Sequence, residues 1–480
     1  MQALLKKYKK LSPEAKASIW FLICSLIQKG ISVITTPIFT RIMDESQYGA
    51  FNVYTSWQDI LIIFCTLNLA QGVYMQGLVK YDEIKEEFTS SILSLSLTIL
   101  ICFLCLYSAL ANISQSLSGL THIQMLAMFL SMAASTTFMI WAREQRVAYK
   151  YRKLVFITIL VAAIRPTIGI IVVLNAQDKV TARIVEMAAV DAIFYFPIFL
   201  SIYKKGKVFF DKKIWKYALK FNLPLIPHFL SQTVLNSADR IMIGSMVGKS
   251  EAGIYSLAYQ ISLFVNLFNN ALLQSISPWT YRKLKDHREN EIERVGILSL
   301  ILIGVLDIAF IAFAPELVAI FAPSSYGNAI WVIPPITMSV FFQYMYAMFV
   351  DIELYAEKSQ FIATATVIGA GANVLLNYVF INLYGHYAAG YTTLFCYMLI
   401  AILHYFFMVK ICRSEGLQKP IYSFRNILLP SAVLLCVGFL MLFTYNYSVI
   451  RYLIIGLILI VLIINRNKII DVVRMGRNEK

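Results

Sequence analysis

Long apolar runs separated by short polar stretches repeat from one end of the sequence to the other. They fall at Ile19 to Phe39, Val53 to Met75, Phe88 to Ala111, Ile123 to Trp141, Leu154 to Leu174, Ile184 to Ile202 and Tyr217 to Val247. A second set follows at Ile254 to Trp279, Val295 to Phe321, Ala329 to Phe349, Phe361 to Leu383, Ala388 to Val409, Ile427 to Phe443 and Val449 to Ile464. Each is long enough, or nearly so, to cross a hydrocarbon core of about 30 Å, where backbone polar groups must be paired inside the segment. The pattern predicts an all-α polytopic membrane protein with about fourteen transmembrane helices. The last run is short and carries Arg451.

Composition agrees with lipid as the main solvent. Of 480 residues, 59% are hydrophobic and 14% charged, the mean hydropathy is +0.68, and a soluble domain carries about 25% charged residues. Lys and Arg sort by side. Roughly 33 of the 42 lie in the two tails and the even-numbered connections, which predicts that both termini and those loops are cytoplasmic. The opposite face has Arg41, Lys179, Arg183, Lys249 and Arg451, while Lys29, Arg165, Lys220 and Arg240 fall inside spans. A net charge of +15 spread over alternate short loops marks orientation and contact with anionic lipid; it does not form the continuous basic face that nucleic acid needs.

Ser12, Pro13 and Glu14 form a helix-start signature that introduces the first span. No short apolar core with a small-residue cleavage site precedes it, so a removable signal peptide is not expected. The seven cysteines lie in or beside spans, and none is expected in a disulfide. Cys102 and Cys105 have CxxC spacing but lack His or acidic companions, which is packing and not a metal site. No cofactor is expected.

No polar stretch is long enough to bury its own core, which excludes a globular catalytic domain. The longest hydrophilic linker, 204–216, suggests an N-terminal lobe over 1–203, a C-terminal lobe over 217–411, and two further helices with a tail over 412–480. A weak internal repeat supports two lobes. Arg41-Ile42-Met43 then Ser46 to Phe51 resembles Arg240-Ile241-Met242 then Ser250 to Tyr255, a parallel repeat of the kind common in transporters.

The seventh span concentrates polarity. His228, Gln232, Asn236 and Arg240 recur every four residues on one face, with Asp239 at its edge. A charge at the bilayer centre costs about 2.5–3.5 kcal/mol, so this face is expected to meet a partner helix or a watery cavity. Pro224 and Pro227 remove two backbone donors near the cytoplasmic start of the span and predict a hinge. The first span has a matching stripe of Ser25, Lys29, Ser32, Thr36 and Thr40; the repeat aligns Lys29 with His228. Asn266, Asn270 and Gln274 line one face of the eighth span, for helix packing or for binding sugars. Arg165 precedes Pro166 and is either a further cavity base or a paired residue. Arg240 has Asp307 or Asp191 as structural partners, and Asp239 and Asp307 are candidates for proton or sodium coupling. Glu316, Asp351 and Glu353 lie near span ends, where solvation is expected.

These features resemble the bacterial polysaccharide flippase family, translocases of lipid-linked oligosaccharide repeat units within the multidrug/oligosaccharidyl-lipid/polysaccharide exporter superfamily. The residues that carry the resemblance are Gln47-Tyr48-Gly49, the stretch from Phe221 through Pro224 and Pro227 to Asp239-Arg240-Ile241-Met242-Ile243-Gly244, Gly253-Ile254-Tyr255, Ala314-Pro315-Glu316-Leu317, Asn377-Tyr378 and Gly385 to Gly390. The last departs from the family's usual Gly-x-x-Gly-Ala-Ala. The resemblance implies two six-helix lobes in a V around a central cavity, two peripheral C-terminal helices, and alternating access in the bacterial cytoplasmic membrane. It implies an undecaprenyl-diphosphate-linked glycan as cargo, carried to the outer leaflet for O-antigen or capsule biosynthesis, with polysaccharide polymerase machinery as a further partner.

The residues suit such cargo: Lys29, Arg240 and Arg165 for the diphosphate, with His228, Gln232, Asn236 and Asn270 for the sugars. Flipping changes location only and needs no covalent step. Two rivals remain. A drug or cation antiporter on the same fold would favour acids and aromatics over bases in the cavity, and a membrane glycan polymerase or ligase would need a sizeable outer loop with acid–base residues.

Overall fold

The computed structural model describes residues 12–415, 417 and 419–464. Among these residues ten helices are long and apolar enough to cross a membrane, fewer than the fourteen expected because several spans are broken into shorter or more polar pieces. The chain forms two compact units, Met1–Thr233 and Val234–Lys480.

The first unit contains α1 (Pro13–Ile42), α2 (Glu45–Thr66), α3 (Val73–Lys80), α4 (Lys85–Ala109), α5 (Ala111–Ser118), α6 (His122–Val147), α7 (Tyr151–Asn175), α8 (Lys179–Gly206) and α9 (Lys212–Asn222). Side-chain caps set several starts. Ser12 accepts from the Ala15 amide at 3.3 Å, with Pro13 opening α1 as expected. Asp44 and Gln47 form a reciprocal capping box on α2, and Thr121 with Gln124 does the same on α6. Helix α8 packs along α6 and is covered by α7, against which α1 leans. Tyr54, Met128, Met132 and Ile184 fill one core and Tyr74, Phe88, Ile92 and Leu93 another.

The second span is not continuous. Helix α2 stops at Thr66, where Leu67 and Asn68 take left-handed backbone conformations (φ 49° and 50°), and α3 resumes at Val73. Asn222 closes this gap from a distant point in the chain. Its Oδ1 accepts from the Val73 amide at 2.8 Å and its Nδ2 donates to the Leu67 carbonyl. A Cβ on Gly72 would lie 1.9 Å from Asn222 Oδ1, so only glycine admits the clamp.

The seventh span is also broken. A 3-10 turn over Leu223–Leu225 containing Pro224 separates α9 from α10 (Ile226–Met246), with Pro227 in the first turn of α10. Helix α9 belongs to the first unit, where Trp215 Nε1 donates to the Ser91 carbonyl at 3.1 Å in addition to the Asn222 contacts. The boundary between the two compact units, Thr233 to Val234, thus lies within α10.

The second unit continues with α11 (Lys249–Ser262), α12 (Val265–Lys285), α13 (Glu289–Ala312), α14 (Ala314–Phe321), α15 (Ile333–Tyr355), α16 (Ser359–Tyr384), α17 (Tyr387–Ser414), α18 (Phe424–Leu442) and α19 (Ser448–Ile464). Helix α17 packs on α15 and α16. The last two helices pack one face on the unit's core through Ile427, Leu434, Met441 and Ile455, and expose Leu428, Leu429, Leu453 and Leu457 on the other. Arg451 bonds to Glu316, and Tyr445 Oη donates to the Ile311 carbonyl at 2.8 Å.

Candidate functional site

Each unit buries a different kind of polar constellation. In the first, Arg165 Nη2 on α7 meets Asp191 Oδ2 on α8 at 2.5 Å, and Ser131 Oγ donates to the same oxygen at 3.1 Å. Gln58 extends the chain by donating to Ser131 at 3.0 Å. Beside them Arg183 pairs with Glu186, donates to the Arg165 carbonyl at 3.2 Å, and lies 4.3 Å from the Phe39 ring centroid. Gly169 makes room for that guanidinium, since a Cβ there would sit 1.9 Å from Arg183 Nη1. Of the two expectations for Arg165, a further cavity base or a paired residue, the geometry shows the pairing: the buried Asp191 carboxylate one helix away holds its guanidinium. Asp191 is likewise held by Arg165 and is not the partner of Arg240.

In the second unit Asp239, 1% exposed, stands at the centre of a neutral network. Its Oδ2 accepts from Tyr255 Oη at 2.5 Å and Thr393 Oγ1 at 2.9 Å, and its Oδ1 from Asn377 Nδ2 at 2.5 Å. Asn377 is itself fixed by Asn373 and Thr392. Four helices, α10, α11, α16 and α17, thus converge on one carboxylate. The donors around its two oxygens are uncharged, two hydroxyls and one amide.

Arg240, next in sequence, turns the other way. Its Nη2 donates to the Asn236 carbonyl at 3.1 Å and its guanidinium lies 4.6 Å from the Tyr259 ring centroid. Arg41, its counterpart in the repeat, bonds the carbonyl of Pro37 at the same four-residue spacing, 2.8 Å away. Asn236 and Gln232 are exposed on α10, and Tyr259 Oη donates to Asn236 Oδ1 at 3.1 Å. Asn270 and Gln274 are exposed on α12, and Lys29 is exposed on α1 in the first unit. His228 is half-buried with its Nδ1 unbonded among the described residues.

Asp307 is fully buried on α13, and neither oxygen has a hydrogen-bond partner among the described residues, so it is not an ion-pair partner of Arg240. Solvation is overturned for three other acids. Glu353, 0% exposed, bonds His404 Nδ1 at 2.8 Å, Asp351 accepts from Ser277 at 2.7 Å, and Glu316 pairs with Arg451. Their partners lie on other helices, so position along a span gave no sign of them. Thr393 was missed for the same reason, whereas Tyr255 and Asn377 stood in short motifs that carried no role by themselves.

Comparisons with known proteins fit this architecture. The sequence profile of the family described as polysaccharide biosynthesis protein matches residues 15–283. The Lsg locus putative protein 1 of Haemophilus influenzae is 23% identical over 307 residues, covering 60% of this chain and 72% of that protein. Among solved structures, the lipid II flippase MurJ in an inward closed conformation superposes with a TM-score of 0.72 at 15% identity, over 94% of this chain and 100% of MurJ. An inward-facing MATE multidrug resistance transporter of the MOP superfamily gives 0.59 at 13% identity, over 84% and 100%. At such identities the structural likeness establishes a shared fold, while the profile match runs over more than half of the sequence. This chain is therefore a multi-pass membrane protein belonging to the polysaccharide biosynthesis protein family.

Proposed function

We propose that this protein flips undecaprenyl-diphosphate-linked oligosaccharide repeat units from the cytoplasmic to the outer leaflet of a bacterial cytoplasmic membrane by alternating access, with both termini cytoplasmic. The observation that carries the reading is the polar face of α10, where Gln232 and Asn236 are exposed and the Arg240 guanidinium lies across the Tyr259 ring. Exposed amides and a base on a membrane helix are costly in lipid and suit a sugar diphosphate, with amides for hydroxyls and a guanidinium for phosphate. Lys29 supplies a second base and His228 and Asn270 further polar groups. The 3-10 break at Pro224 and Pro227 provides the hinge. Asp239, with Asp307 as a further candidate, couples the cycle to a proton or sodium gradient.

The test is reconstitution into liposomes with a defined lipid-linked oligosaccharide, scoring leaflet transfer beside a lipophilic-cation efflux control. Lys29→Ala and Arg240→Ala are each expected to lower transfer at least tenfold at matched protein level. Undiminished transfer by both would remove the assigned roles, and cation efflux in place of glycan transfer would favour the antiporter.

A further inference from the structure

A groove of about 600 Å³ runs between α1 and α7 in the first unit, lined by Trp20, Tyr151, Arg152, Phe156, Ile159 and Ala163 among others. Its walls are apolar except at one end, where Trp20 stacks on Tyr151 with ring centroids 6.3 Å apart and Arg152 stands exposed. These two helices are the least buried of the ten long apolar ones. The surroundings of the polar end are strongly basic: residues 143–153 hold Arg143, Arg146, Lys150, Arg152 and Lys153 against the single acid Glu144. Arg146 also lies over the Phe21 ring, 5.7 Å from its centroid, which keeps this charge beside the first turns of α1.

We propose that the groove is a binding site for one anionic phospholipid, its phosphate on Arg152 and one acyl chain laid along α7 towards Ala163. Length and charge together choose this occupant. From Arg152 to Ala163 a helix rises about 16 Å, half of the roughly 30 Å hydrocarbon thickness, which is the depth of a single leaflet. The aromatic pair marks the interface at which amphipathic rings settle, and basic residues at that level attract anionic head groups at about 1 kcal/mol each. A zwitterionic lipid would fill the same trough without using the charge. A much longer prenyl chain would overrun it.

The full-length protein, purified in detergent, is titrated with phosphatidylglycerol or with phosphatidylcholine of identical chains, and retained lipid is counted by native mass spectrometry. One tightly held phosphatidylglycerol per chain is expected, with phosphatidylcholine retained at least fivefold less. Arg152→Gln is expected to lower phosphatidylglycerol retention about fivefold, the worth of one basic residue at a membrane surface. Ala163→Trp, which fills the inner end, is expected to abolish it while an unchanged melting temperature reports an intact fold. Equal retention of the two lipids, or indifference to both substitutions, overturns the proposal. Displacement of phosphatidylglycerol by equimolar undecaprenyl phosphate also overturns it, in favour of a cargo-tail site.

Discussion

Asp191 and Asp239 are each 1% exposed, yet one faces a guanidinium and the other only hydroxyls and amides. Residues aligned by the internal repeat diverge in the same sense: Thr40 and Phe51 of the first unit stand where the second has Asp239 and Tyr255. The first unit pairs Arg165 with Asp191 and Arg183 with Glu186, and the second pairs Arg451 with Glu316 in the same way. Elsewhere in the second unit Asp239 is held by neutral hydrogen bonds, and Asp307 has no hydrogen-bond partner among the described residues. A cancelled pair is locked, because separating it exposes two charges to a poor solvent, whereas a carboxylate held by neutral donors can exchange a proton or cation without dismantling its surroundings. The difference supports the coupling role proposed for Asp239, while the Arg165–Asp191 pair serves to hold its helices together.

Breaking a pair is the strongest probe of that contrast. Arg165→Ala strands Asp191 and is expected to cost about 3–5 kcal/mol, read as a large fall in melting temperature in detergent; the double variant with Asp191→Asn should recover most of it. No recovery would mean that Arg165 does more than balance charge. Asp239→Asn removes the charge from all three hydrogen bonds that the carboxylate accepts but keeps one acceptor oxygen, and is expected to cost less, about 1.5–3 kcal/mol, while making glycan transfer in liposomes insensitive to imposed proton and sodium gradients. Gradient dependence surviving in that variant would move coupling elsewhere. Asp307→Asn loses no hydrogen-bond partner among the described residues, so its effect on melting is expected to stay within about 1 kcal/mol. A fall as large as that of Arg165→Ala would expose an interaction that burial alone does not reveal.

How far these contrasts were legible in the sequence depends on the range of the contacts. Spans, the α1 cap at Ser12 and the proline break before α10 rest on neighbours in the chain, and all three were readable. The interruption at Leu67 was not, because a single glycine, Gly72, is its only local sign and the stabilising side chain, Asn222, is 155 residues from Leu67. For Arg165 the sequence left a cavity base and a paired residue both open for the same reason: nothing near it in sequence announces Asp191 on the next helix. Glu353 and His404, both buried and bonded to one another, are separated by 51 residues. The stripe from His228 to Arg240 did not give the direction of its charges, since Asp239 is buried among Tyr255, Asn377 and Thr393 while its neighbour Arg240 folds back on its own helix.

The clamp made by Asn222 has a consequence for cutting this chain in two. A split placed in the basic loop around residues 204–216, the point that looks natural by hydrophilicity, would hand the asparagine to the wrong fragment. The amino-terminal piece would then keep an open turn, with the amide of Val73 and the carbonyl of Leu67 stripped of their partner inside the bilayer. Two co-expressed fragments should reassemble only when the break falls beyond that side chain.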